Sequence, residues 1–363
     1  DAYYASVPQF DTLSTDLVEI VLTTKGAQPY SVRLKKYNAY NPEDPDSPKE
    51  LFFVRPGASD YNINLDLAER VSGTKNTLDT RDFCFQLDKE QSSDNVVVMK
   101  LPYEGGYIQQ KYWIDNDSYM LKNELSFIGM NQIVDDITDT YTTDWKLYIP
   151  RLEKGYKNEK QYSKMNYYFD GDKKPEIAAR GKDDSKSVNT RLSWFAFQQQ
   201  FFSAIMTASN EFASADFDVK YFAEDDPSKN LMACSAKLRS DFNIAAGDVV
   251  LPYEFYFGPN DYSILSDYGQ KYEKIIPLGG WLVGWISRFV IIPCFNLLGR
   301  FITNYGLIIL LMTILIRVVI SPLTIKSYKS SAKMQVLKPE IDKLNEKYPN
   351  QKDAMKKQQA TME

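Results

Sequence analysis

Hydrophobic and polar positions alternate along most of the first ~260 residues, the signature of strands with one buried face. Asp16-Leu-Val-Glu-Ile-Val-Leu-Thr-Thr steps with period 2 and ends at Lys25-Gly26, a turn signal. Ser31-Val-Arg-Leu-Lys-Lys-Tyr alternates again, and the Pro- and Asp-rich stretch 38–49 reads as a loop. Val96-Val-Val-Met-Lys-Leu is a strand core. Tyr107-Ile-Gln-Gln-Lys-Tyr-Trp-Ile, a turn at Asp115-Asn-Asp, and Tyr119-Met-Leu-Lys-Asn-Glu-Leu-Ser-Phe predict a hairpin. The charged run from Asp172 to Lys186 reads as a solvated loop. Many short strands with polar turns predict an all-β sandwich over 1–262.

After about residue 263 the pattern changes. A linker leads into 281–302, long and apolar but interrupted by Arg288, Pro293, Asn296 and Arg300. On a helix, Ile286, Val290, Pro293, Leu297 and Phe301 share one side, which predicts an interfacial helix with Trp281 and Trp285 at headgroup depth. Residues 305–324 supply the ~20 apolar residues that cross a bilayer. Lys326, Lys329, Lys333 and Lys338 follow at once, so the positive-inside rule puts that end in the cytoplasm and the β domain outside. The competing topology pairs 281–302 and 305–324 as a transmembrane hairpin, against the cost of burying two arginines. Beyond it, Met334, Leu337, Ile341, Leu344 and Tyr348 make a short a/d seam, Pro339 is expected to kink the helix, and Met355 and Met362 mark a second stretch. Residues 325–363 therefore read as the start of a cytoplasmic helical hairpin.

Composition narrows the chemistry. The 363 residues carry a net charge of -5, and 14% are aromatic, with 25 Tyr and 20 Phe. The mean hydropathy of -0.40 hides the local apolar segment. No histidine is present, which removes His-based triads, bases and metal ligands. The three cysteines, Cys84, Cys234 and Cys294, lack metal spacing. No metal or other cofactor is expected, and direct nucleic-acid binding is not, because the one basic cluster adjoins the apolar run. Cys84 and Cys234 pair or stay as separate buried thiols; spacing leaves both open. An exported domain also implies an export segment upstream of Asp1.

Arg317 is the residue that demands explanation. Guanidinium stays charged in proteins, so it faces a partner, a wet cavity or the headgroups. Snorkelling to the cytoplasmic surface and exposure to a polar cavity both remain open. Pro322 frees backbone carbonyls nearby, compatible with either.

These same residues carry a resemblance. Asn304-Tyr-Gly, the arginine Arg317, Pro322-Leu-Thr and Ser330-Ser-Ala-Lys-Met-Gln-Val-Leu-Lys-Pro-Glu-Ile resemble the pattern of the YidC membrane protein insertase family. Thr24-Lys-Gly-Ala, Trp194-Phe-Ala with Gln199-Gln-Phe-Phe, and Phe257-Gly-Pro resemble its Gram-negative form more loosely. The resemblance implies a periplasmic β-supersandwich, an inner-membrane insertase core and no bond chemistry. It implies nascent membrane proteins as substrates, release into the lipid bilayer, and the Sec translocon, ribosome or a targeting factor as partners. The family's groove arginine falls on Arg317, and Lys326, Lys329, Lys333 and Lys338 become candidates for cytoplasmic docking. Four further transmembrane helices are implied beyond Glu363.

Two rivals stand beside this reading. One is a membrane-anchored β-sandwich that binds or modifies carbohydrate, using paired acids such as Asp135-Asp136 or Asp183-Asp184. Adjacent acids point to opposite faces of a strand, which weakens it. The other is a channel or transporter subunit that passes anions at Arg317. Trp194, Phe195 and Gln198–Phe201 read either as a partner surface or, by aromatic burial, as core.

Overall fold

Strand alternation is visible residue by residue. In Gly106–Ile114 buried and half-buried positions alternate along the whole strand, and Thr140–Pro150 and Ser214–Tyr221 follow the same period. The computed structural model describes residues 7–41, 43–44, 46–68, 76–134 and 139–347, with Met355 and Gln359. Three sheets form among the described residues, antiparallel throughout. Phe10–Ser14, Val18–Thr23, Gln28–Ala39 and Lys49–Val54 pair in sequence order. A nine-stranded sheet runs Glu176–Arg180, Lys164–Tyr168, Leu192–Gln198, Phe202–Phe212, Val249–Pro259, Met120–Ile128, Gly106–Ile114, Val96–Tyr103, Gln86–Leu87. A six-stranded sheet runs Asp184–Val188, Ser214–Tyr221, Asn230–Asp241, Thr140–Pro150, Ser59–Leu67, Asn76–Asp79.

The aromatic excess is spent between these sheets. Trp145 of the six-stranded sheet lies 6.0, 5.0, 5.4 and 6.2 Å from the ring centres of Phe195, Phe197, Phe255 and Phe257 of the nine-stranded sheet. All five are buried, so the sheets pack face to face as a sandwich. Tyr37 and Phe53 of the four-stranded sheet meet Phe202 at 5.1 and 6.4 Å. The expected hairpin is present, with Ile114 opposite Leu121 and Ile108 opposite Phe127.

One expected loop is not a loop. Within 172–186, Glu176–Arg180 and Asp184–Val188 are edge strands of two different sheets. Their exposed, charged residues protect free edges, and that composition hides them from a period-2 reading. A short helix, α1 (Tyr156–Tyr162), precedes them, and α2 (Tyr262–Asp267) is capped by Asp261 accepting from the Ser263 and Ile264 amides at 2.8 and 3.1 Å. The sandwich unit extends to Ile276. Trp194 Nε1 donates to the Gln270 carbonyl at 3.0 Å and Lys164 Nζ to the Ile275 carbonyl at 3.1 Å, which ties that tail down. No disulfide joins Cys84 to Cys234; both are buried.

The second unit, from Pro277, is helical. Helix α3 (Trp281–Ile286) passes through a π turn, Ser287–Ile291, into α4 (Ile292–Gly299). The Ile292 amide donates to the Ser287 carbonyl, five residues back, just before Pro293, which has no amide to give Phe289. The expected straight stripe from Ile286 to Phe301 therefore does not hold, because the π turn rotates the face and the helix ends at Gly299. Helix α5 (Tyr305–Lys347) runs without a break through both Pro322 and Pro339. Each proline removes one hydrogen bond and leaves its neighbours intact, so Thr324 is not a helix end. The Phe295 and Tyr305 rings stack 6.3 Å apart where α4 meets α5. The side chains of Trp281, Leu344 and Tyr348, and Met362 altogether, lie outside the described residues.

Candidate functional site

Helix α5 is long and apolar enough to cross a membrane. No acidic residue occurs in it before Glu340, so Arg317 has no partner on its own helix. At about 100° per residue, Thr313, Ser321, Thr324 and Tyr328 all fall within about 40° of Arg317. The arginine therefore belongs to a polar stripe down one side of an otherwise apolar helix. Ile308 and Met312, both buried, fall about 180° and 140° away from it. The stripe's hydroxyls are satisfied by the helix itself. Thr313 Oγ1 donates to the Ile309 carbonyl at 2.8 Å and Thr324 Oγ1 to the Ile320 carbonyl at 3.1 Å. Ser321 Oγ donates to the Val318 carbonyl at 2.9 Å, the carbonyl four residues before Pro322 and so the one that proline leaves without an amide.

The candidate docking lysines divide. Lys326, Lys329 and Lys333 fall within an arc of about 60° on the side of α5 opposite Arg317, whereas Lys338 falls about 60° from Arg317 itself. All four are exposed. Along the axis, Lys326 lies about 14 Å beyond Arg317 at 1.5 Å per residue. Trp285, Phe289 and Phe301, in the segment read as interfacial, are 57%, 60% and 80% exposed, an apolar surface that water alone does not favour.

In the sandwich, two of the motif stretches, Gln199–Phe202 and Phe257–Pro259, meet at one spot. Trp194, Phe195 and Gln199 are fully buried, which resolves that segment as core; Phe201 alone is exposed. The Gln199 amide reaches Glu159 Oε1, and its own Oε1 accepts from the Phe201 amide at 2.9 Å. Asn260, next after Phe257-Gly-Pro, donates to the Gln199 carbonyl at 2.9 Å and accepts from Ser203 Oγ at 2.6 Å. Glu159, on α1, also accepts from the Leu152 and Glu153 amides at 2.7 and 3.3 Å. Burial raises its pKa above the usual 4.5 despite these donors. This is a polar lock between strands and α1, and Glu159 was not singled out in sequence because it sits in an exposed-looking, charged segment.

The acid pairs do not form a catalytic couple among the described residues. Asp183 accepts from the Tyr221 amide at 2.8 Å, and Asp184 lies 3.7 Å from Lys182. Asp135-Asp136 lies outside the described residues. Among the described residues, no group of three Cys, Asp or Glu side chains is placed to hold a metal.

The chain matches the family model of the YidC periplasmic domain over residues 12–292 and that of the 60Kd inner membrane protein over residues 297–363. It is similar to the membrane protein insertase YidC of Parabacteroides distasonis, 34% identical over 362 residues, and to that of Bacteroides fragilis, 35% identical over 360. These matches cover 98% and 97% of this chain and 55% of each relative. The chain thus spans about half the length of the curated relatives it matches. The sandwich is also similar in fold to a galactose mutarotase-like protein from Lactobacillus casei, at 10% identity and a TM-score of 0.42 over 69% of this chain and all of that one.

Proposed function

The chain belongs to the YidC membrane protein insertase family, and from that premise we propose that it forms the leading part of an insertase whose wet groove is centred on Arg317. The polar stripe through α5 carries this reading. A guanidinium flanked by hydroxyls on one helix face lowers the cost of holding polar or acidic residues of a nascent segment inside the bilayer. Attraction between unit charges at 4 Å rises from about 1 kcal/mol in water to about 4 at an effective dielectric of 20. The held segment's apolar stretch then partitions into lipid. No bond is made or broken, so the protein is a chaperone of transfer and not an enzyme.

The sandwich lies in the periplasm and the lysine-rich end of α5 in the cytoplasm, by the positive-inside rule. Nascent membrane proteins are the substrates, delivered by the ribosome or a targeting factor and shared with the Sec translocon. Lys326, Lys329 and Lys333, on the side of α5 away from Arg317, suit a docking role that leaves the groove side open. The test is insertion by the full-length protein reconstituted in liposomes. Arg317→Ala impairs segments with charged tails and Arg317→Lys largely preserves them; equal insertion by Arg317→Ala and wild type for every segment sinks the role. Deleting 326–363 and scoring membrane integration and insertion separately divides topology from docking.

A further inference from the structure

Within the sandwich unit, four cations gather around α1 and the strand pair Lys164–Tyr168 and Glu176–Arg180. Tyr156, Lys157, Lys160 and Gln161 occupy one side of α1, and the buried Glu159 lies outside that arc. With Arg180 and Gly181 they line a single open depression. Lys160 Nζ sits 5.7 and 5.4 Å from the ring centres of Tyr156 and Tyr221. Arg180 Nε donates to the Gln161 carbonyl at 3.3 Å, and Lys164 is opposite Arg180 in the strand pair. Burial, and then the Arg180 charge, lower the Lys164 pKa. Among the described residues none of these four cations pairs with a carboxylate. Three of the acids near them in sequence are engaged elsewhere: Glu159 in the buried lock, Asp183 on the Tyr221 amide, Asp184 on Lys182.

Uncompensated cations clustered in a chain of net charge -5 repel one another until an outside anion relieves them. The occupant follows from where the cluster lies. Lys164 Nζ holds the Ile275 carbonyl, and the sandwich unit ends at Ile276, where the chain enters its apolar segment. The anionic surface tethered to this end is the bilayer itself. We propose that Lys157, Lys160 and Arg180 form a docking surface for the phosphate headgroups of anionic phospholipid, holding the sandwich down on the membrane. Lys160 over two tyrosine rings suits this interface, with its apolar stem below and its charge at headgroup depth.

The inference needs α5 to sit in a bilayer but does not depend on insertion, so its test leaves the insertase reading untouched either way. Full-length protein is placed in nanodiscs of phosphatidylcholine alone or with phosphatidylglycerol, and hydrogen exchange is followed over 156–161 and 176–181. Phosphatidylglycerol slows exchange there about tenfold, as a few cations at an anionic surface require. The slowing fades as salt shortens the Debye length from about 10 Å at 0.1 M to about 3 Å at 1 M. K157E/K160E/R180E abolishes it, and the neutral K157Q/K160Q/R180Q does so if charge reversal unsettles the fold. Equal exchange in the two lipids overturns the proposal. So does slowing in phosphatidylcholine discs on adding inorganic phosphate alone, which marks a small-anion site, or polyglutamate alone, which marks an acidic protein partner.

Discussion

Ser321 replaces what Pro322 removes: its hydroxyl donates to the Val318 carbonyl at 2.9 Å, the acceptor that a residue with an amide at 322 would serve. In hydrocarbon an unserved carbonyl is costly. Ser321→Ala is therefore expected to destabilise the membrane unit by about 1–2 kcal/mol. The same change in a Pro322→Ala background costs less than about 0.5 kcal/mol, because the backbone then serves itself. A double-mutant cycle of unfolding in mixed micelles measures the coupling, and additive effects would show that the hydroxyl is not a substitute.

Arg317 is expected to act through charge. Arg317→Ala lowers insertion of a segment with an acidic tail by about tenfold or more, within the few kcal/mol that a charge pair supplies in a wet groove. The deficit disappears when the tail acids are changed to Asn and Gln. Insertion kinetics with the paired segments check this, and a deficit that ignores tail charge would point to packing instead.

Glu159 predicts a pH dependence. Its pKa is raised in the fold by burial, above an ordinary 4.5, so the folded protein binds its proton more tightly than the unfolded chain. The stabilising contribution is fully present below the unfolded pKa and is lost as pH rises through the folded one. Between pH 4.5 and 7 the wild-type Tm is expected to fall more than that of Glu159→Gln, which keeps an acceptor for the Leu152 amide. Parallel Tm curves for the two proteins would remove Glu159 from the account.

Trp145 and Phe201 separate core from surface among the aromatics. Trp145→Ala, which empties the space between four buried phenylalanines, is expected to cost about 3–5 kcal/mol in chemical denaturation of the full chain. Phe201→Ala, at a side chain 50% exposed, is expected to stay within about 0.5 kcal/mol. A large cost at Phe201 would mean that this ring has a partner within the fold.

The hairpin over 107–127 was legible because each strand buries one face, and burial writes itself into sequence with period 2. The strands 176–180 and 184–188 were not, since an edge strand with few buried residues carries no such record. Helix α1 escaped for a related reason: it has no side-chain cap, and its fully buried residue is a glutamate. Arg317 was visible because a charge within an apolar run is improbable without a purpose. Its companions were not, because Thr and Ser are ordinary within an apolar helix, and only their angular position relative to Arg317 makes a stripe of them. The cation cluster joins α1 to a strand some twenty residues away, and only the fold brings them together.

The unbroken length of α5 has a mechanical consequence. Its 43 residues extend about 65 Å at 1.5 Å per residue, roughly twice a hydrocarbon core. A rod of that kind protrudes from the bilayer by about its own embedded length. Wherever its apolar part is embedded, a load applied at Lys338 tilts the whole helix, and the polar stripe around Arg317 turns with it.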